Sequence, residues 1–159
     1  QYKYNKKKHI FINEMTTKKI GAGVLAIDKH SGKVLVARRG MSGGYPNTWA
    51  TFGGTFEDKD VTPKQTAKRE FWEETSIDVP YEISTKPFYI DSNNFIDFYT
   101  YLAIFDGQPK VQINEESLGY AWVDLENMPF NLIPGLEELL KTKGKELKNL
   151  ISNLLDSNH

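Results

Sequence analysis

The sequence predicts an α+β fold, a curved mixed sheet with helices against its faces. Two observations carry this. Strand-like runs fill most of the chain with one helical segment among them, and helical patterning returns only at the C-terminal end. So few helices between strands do not suit an all-parallel sheet, in which each crossover needs its own helix.

Ile20 to Asp28 (IGAGVLAID) reads as a buried strand and Lys33 to Arg39 (KVLVARR) as its partner. Lys29-His30-Ser31-Gly32 between them has the turn chemistry of a hairpin. Ile20-Gly21-Ala22-Gly23 faintly resembles a dinucleotide loop, but no helix follows, so the strand reading is preferred. Gly40 to Asn47 is a loop, Trp49 to Phe52 a short strand, and Gly53-Gly54 opens a polar loop. A helix then runs from about Pro63 to Thr75, with Thr62 as N-cap and Pro63 in the first helical position. Tyr81 to Asp91 and Phe95 to Phe105 are strands flanking the turn Ser92-Asn93-Asn94. In the second of these, Ile96, Phe98, Leu102 and Ile104 form an apolar face with Thr100 as the exception, while Asp97, Tyr99 and Tyr101 lie opposite. Tyr120 to Leu125 is the last short strand. Two helices, Ile133 to Lys141 and Lys145 to Asp156, are expected on either side of Gly144.

At 159 residues, with 39% hydrophobic and 13% aromatic side chains, one domain with a full core is expected. The domain is taken as residues 15–159, with residues 1–14 as an N-terminal extension or arm. A formal charge of -1 gives no global field that favours nucleic acid or membrane. Cysteine is absent, which excludes disulfides, thiolate metal sites and cysteine nucleophiles. No apolar run nears the roughly 18 residues of a membrane helix. Lys6, Lys7 and Lys8 are followed only by His9-Ile10-Phe11-Ile12, too short for a signal-peptide core, so a cytoplasmic location is expected. His9, His30 and His159 are too scattered for a histidine metal site, and Lys141, Lys143, Lys145 and Lys148 read as a solvated helix face.

The chemistry-bearing segment is Arg69-Glu70-Phe71-Trp72-Glu73-Glu74, inside the first helix. At 3.6 residues per turn the three glutamates project over an arc of about 100°. They repel one another, and they sit towards the helix C-terminus, where the dipole disfavours anions. Arg69 can pair with Glu73 at i,i+4, yet one arginine does not neutralise three carboxylates. Two readings remain: a solvated charged face, or a site for a hard divalent cation bound through oxygen. Phe71 and Trp72 give the helix an apolar side to pack.

With Gly53-Gly54-Thr55-Phe56-Glu57-Asp58-Lys59-Asp60 before the helix, and Tyr45-Pro46-Asn47-Thr48-Trp49 further upstream, the sequence resembles the Nudix hydrolases. Their signature reads G-x5-E-x7-R-E-U-x-E-E-x-G-U, with U a bulky aliphatic residue. Here it runs GGTFEDKDVTPKQTAKREFWEETSI, from Gly53 to Ile77. The chain departs from the signature in several places. Asp60 stands where the first signature glutamate falls, one additional residue lengthens the loop, Phe71 occupies an aliphatic position, and Ser76 replaces the glycine after the helix.

The resemblance implies a Nudix-like α/β/α sandwich and cleavage of a phosphoanhydride bond in a nucleoside diphosphate linked to another group. It implies magnesium as cofactor, with manganese able to substitute, held by Glu70, Glu73, Glu74 and the Gly53 carbonyl. Arg69 would orient the glutamates. The base would be Glu73, or Glu115 or Glu116 in the loop before the last strand, with Glu116 preferred. Arg39, Tyr45, Phe52 and Tyr99 are taken as substrate contacts, although aromatics on strands also serve as core. The expected partner is a nucleotide-derived small molecule, with a homodimer left open. The alternative reading is a non-catalytic binding module or regulator of the same fold. Isomerase chemistry on isopentenyl diphosphate is set aside, since it resembles one that relies on cysteine.

Overall fold

Strand β1 (Lys19–Asp28) runs through the middle of the sheet, and its neighbours explain the architecture. The computed structural model describes residues 18–158; the expected arm, the domain start at Met15, His9 and His159 lie outside them. Along one edge β1 pairs in parallel with β7 (Ile96–Phe105), from Lys19↔Ile96 to Asp28↔Phe105. Its other edge is shared. β4 (Phe52–Thr55) lies antiparallel to it over Gly21↔Thr55 to Val24↔Phe52, and β2 (Val34–Arg39) meets it at Ile27↔Val34.

The expected hairpin therefore holds only at its root. On its opposite edge β2 pairs with β8 (Ser117–Val123) from Val34↔Val123 onwards, with a register shift between Arg38 and Arg39. β4 already occupies the remaining β1 edge, so β2 must diverge and the sheet forks. The short strand β3 (Trp49–Ala50) pairs with the end of β2. The last strand starts earlier than expected, at Ser117, and stops at Val123.

The expected strand from Tyr81 to Asp91 is two pieces, β5 (Glu82–Ile83) and β6 (Tyr89–Ser92), both antiparallel to β7. Pro87 lies in the break and has no N–H for the ladder. The turn into β7 is fixed by Asn93, whose side-chain oxygen accepts from the backbone N–H of Phe95 (2.7 Å) and Ile96 (3.0 Å).

Both faces of β7 are covered, so the face opposite its apolar one also belongs to the core. Tyr101, Ala103 and Phe105 are buried in one core layer, with Tyr99 packed against it, while Leu102 is buried in the other with Ile104 beside it. A helix covers each side of the sheet, so both sets of alternate residues are withdrawn from water.

The first cover is α1 (Pro63–Thr75), which starts and stops where its caps dictate. The Thr62 side chain accepts from the Gln65 N–H, Pro63 opens the helix, and Ser76 closes it in the left-handed conformation at φ 56°. Phe71 is fully buried against Phe52, Tyr81 and Phe105, but Trp72 is 58% exposed and does not pack as expected. The second cover, α2 (Pro134–Asp156), is one continuous helix of 23 residues rather than two. An interior glycine costs about 1 kcal/mol relative to alanine. Leu136, Leu139, Leu147 and Ile151 bury one stripe on both sides of Gly144. Each such burial stabilises by roughly 1.5–3 kcal/mol, so packing overrides the local break. Among the described residues no helix is long and apolar enough to cross a membrane.

Candidate active site

Arg69 is the fixed point of the site. Its Nε and one terminal nitrogen donate to the two oxygens of Asp60, both at 2.9 Å. Asp60 also accepts from the Thr66 hydroxyl at 2.9 Å and the Glu57 N–H at 3.0 Å, which closes the loop onto the helix. These donors hold the buried Asp60 carboxyl well below the usual carboxylate range, the arginine contributing most. The other terminal nitrogen of Arg69 reaches Glu70 at 3.2 Å and Glu73 at 3.1 Å. Asp60, the residue that departs from the signature, is thus the anchor of the arginine.

The paired glycines are required by close approach. A side chain at Gly54 would put its Cβ 2.3 Å from the Glu70 carboxyl, and one at Gly53 would stand 2.5 Å from the Ala22 carbonyl oxygen. Glu70 therefore lies directly against β4. Burial raises its pKa, with Arg69 opposing the shift and Glu73 adding to it.

Glu74 is 7% exposed, and its Oε2 has no hydrogen-bond partner. Burial first, then the neighbouring Glu70 and Glu116 carboxylates, push its pKa up to about 9, while Arg39 pulls the other way. Glu73 is more exposed and engaged by Arg69. The structure therefore separates three glutamates that the sequence treats alike.

Glu116 is brought to this group by its loop. Its N–H donates to the Asn114 side-chain oxygen at 2.9 Å, and the Asn114 amide donates to the Glu73 carbonyl at 3.2 Å. The Gly40 N–H donates to the Glu116 carbonyl at 2.9 Å, so the loop is fastened to α1 and to the residue after β2. Glu115 is exposed and is not among the charges acting on Glu70 or Glu74.

Beside the carboxylates lies a cavity of about 300 Å³, lined in part by Arg39, Tyr45, Gly53, Gly54 and Phe98 and closed by the start of α2. The carboxylates themselves are not in its wall. The two features meet at Gly54, which lines the cavity while its backbone lies against Glu70. Phe98 rests on glycine backbone: its ring would lie within 3.1 Å of a Cβ at Gly21, Gly23 or Gly53. Of the expected substrate contacts, Arg39 and Tyr45 line the cavity. Phe52 does not; it is fully buried and packs edge-on against Phe71 at 6.1 Å. Tyr99 is also displaced, packing on the α1 side of β7 because alternate residues of a strand face opposite ways. The aromatic that reaches the cavity is its neighbour Phe98. The signal for it was Gly21-x-Gly23 and Gly53-Gly54 on adjoining strands, which leave a hollow that a ring fills.

The donor set fits a hard divalent cation, since an acceptor oxygen is buried at Glu74 with no donor and with like charges around it. Among the described residues no three acidic or imidazole groups form a ready-made metal cage. A bound cation would therefore share its coordination with water and substrate oxygens, as magnesium commonly does.

Residues 17–143 match the NUDIX domain. A segment of 75 residues, 47% of the chain, is 40% identical to dihydroneopterin triphosphate diphosphatase of Haemophilus influenzae, and the match spans 43% of that protein. The fold is similar to RenU, a Nudix hydrolase from M. smegmatis (TM-score 0.69, 20% identity, 81% of this chain and 85% of that one). It is also similar to the NUDIX domain of Shewanella oneidensis NrtR, solved with ADP-ribose (TM-score 0.66, 17% identity, 89% and 98% covered). With the domain match spanning most of its length, this chain belongs to the NUDIX family.

Proposed function

We propose that the chain is a magnesium-dependent hydrolase that cleaves a phosphoanhydride bond in a nucleoside diphosphate linked to another group, such as a nucleoside triphosphate, nucleotide sugar or dinucleotide. The observation that carries this reading is Glu74: a buried, partnerless carboxylate among like charges, next to a cavity of nucleoside size. A solvated charged face accounts for Glu73 but not for a buried Glu74. The activity in the name of the Haemophilus relative, a triphosphate diphosphatase, supports the same reaction type.

Glu70 and Glu74, with Glu73 and the Gly53 carbonyl, would hold the cation, which when bound polarises phosphoryl oxygens and neutralises charge in the transition state. Arg69 keeps Glu70 and Glu73 in place while its other edge is locked by Asp60. Arg39 offers its cationic head to the cavity near Glu74, where a phosphate oxygen would need it. Glu116, on a loop tied to α1, accepts the proton of the attacking water. Phe98 and Tyr45 offer aromatic faces to the organic part of the substrate.

A magnesium-containing panel of nucleoside triphosphates, pterin triphosphates, nucleotide sugars and dinucleotides should reveal turnover that chelator abolishes. Undiminished turnover in excess chelator would sink the metal mechanism. Tight binding with no turnover on any of them would place the chain with the non-catalytic modules. In the same assay Glu116→Gln should lower the turnover number with little change in the Michaelis constant, and Glu115→Gln should do little. If both are silent, Glu73 becomes the base.

A further inference from the structure

The cavity has one charged side chain at the end away from the carboxylates. Asp91 lies on β6 and lines the cavity, and its Oδ2 would be 3.1 Å from a Cβ at Gly135 in the first turn of α2. The glycine leaves room for the Asp91 carboxylate beside the start of the helix. Asp91 is half-buried, and among the described residues no donor takes up its carboxylate.

Its place in the sheet is fixed by register. Asp91 pairs with Phe98, Phe98 with Gly21, and Gly21 with Thr55, so one row crosses β6, β7, β1 and β4. Three interstrand spacings separate its ends, roughly 14 Å in all. A ribose and a bicyclic base can span such a distance from a diphosphate held at Gly54. Between the ends the Phe98 ring forms the floor, and Ile133 and Leu136 contribute apolar walls.

An aspartate here is an acceptor on both oxygens and can donate nothing while ionised. Against apolar walls, such a group rewards a ligand with two adjacent N–H donors and penalises one that presents an acceptor or lacks a donor. A purine or pterin with a 2-amino group beside a ring N–H has that edge. Adenine presents one donor and one acceptor, and hypoxanthine presents the ring N–H alone.

We infer that Asp91 is the specificity-determining residue of the cavity and selects a nucleotide whose base carries the 2-amino-4-oxopyrimidine edge of guanine or a pterin. This rests on the reading of the cavity as the seat of a nucleotide's organic part. The test is equilibrium binding of GTP, ITP and ATP to the protein in chelator, so that turnover plays no part. Wild type should bind GTP at least about tenfold more tightly than ITP or ATP, the range expected for one good bidentate pair. Asp91→Asn keeps the shape but replaces one acceptor with a donor. It should bring GTP and ITP to similar affinity and raise ATP relative to both, with an unchanged melting temperature.

Equal binding of all three by wild type, absence of binding, or a GTP preference that survives in Asp91→Asn would each overturn the assignment. Hydrolysis is read separately with magnesium. A GTP preference without turnover would overturn the hydrolase reading and support this one.

Discussion

Asp60 and Glu74 are both buried carboxylates on the loop and helix that frame the site, and they lie in opposite electrostatic surroundings. Asp60 accepts from Arg69, Thr66 and a backbone N–H, and its carboxyl is held well below the ordinary range. Glu74 has an oxygen with no donor and two carboxylate neighbours, and its pKa is pushed up to about 9. Burial alone would raise both. Arginine and the hydrogen bonds reverse its effect at Asp60, whereas like charges reinforce it at Glu74. The contrast is one of partners: one carboxylate closes the loop onto the helix, while the other keeps an oxygen without a donor among like charges.

The largest effect should come from breaking the closed half. Asp60→Ala leaves Arg69 largely buried without its bidentate partner, which should destabilise by about 3 kcal/mol in denaturant melts. A loss below about 1 kcal/mol would mean that Glu70 and Glu73 suffice to hold the arginine. Glu74→Gln should do the reverse. Activity should fall about tenfold to a hundredfold, or roughly 1.4–3 kcal/mol of transition-state stabilisation, while stability in chelator is kept or raised. Equal losses of stability and activity would erase the contrast.

Titration sharpens it further. Glu74 in the folded chain holds its proton up to about 9 against an ordinary 4.5, so its contribution favours folding below 4.5 and is lost as pH rises through 9. Asp60 contributes stability above its ordinary 3.8 and loses it only as pH falls towards its lowered value. Melting temperature in chelator should therefore decline from pH 6 to pH 9 through Glu74, with a smaller decline in magnesium and in Glu74→Gln. A flat wild-type profile in chelator would contradict the Glu74 environment. The smallest effect lies at the helix end: Ser76 sits at φ 56°, and Ser76→Gly should stabilise by about 1 kcal/mol with unchanged kinetics. Destabilisation on this change would show that the serine side chain supports the turn.

Local chemistry was readable at α1. A threonine cap, a proline in the first position and a left-handed closing residue lie within a few residues of what they control, so both ends fall where the sequence places them. The glycine pair and the charge-rich run were equally visible, because each follows from residue type and spacing. α2 was not read correctly, since Gly144 is a weak local break and the leucine stripe that overrides it is completed only against the sheet. The pairing of β2 with β1 was expected and is present at Ile27↔Val34, but its short extent and the second partner β8 were missed for a related reason. Strand pairing depends on which edge remains free, and the β1 edge is claimed by residues some distance along the chain.

By itself the sequence determined the family, the helix that carries Arg69, Glu70, Glu73 and Glu74, and the crowding of three carboxylates on one arc of it. Periodicity and capping act over a turn or two, and they suffice for that. Packing between distant segments determined which glutamate is buried and that Phe98 instead of Phe52 or Tyr99 reaches the cavity, while the folding of the loop onto its own helix made Asp60 the anchor of the arginine. Burial is a property of what lies opposite a side chain, and the opposing residues here come from strands far apart in the sequence.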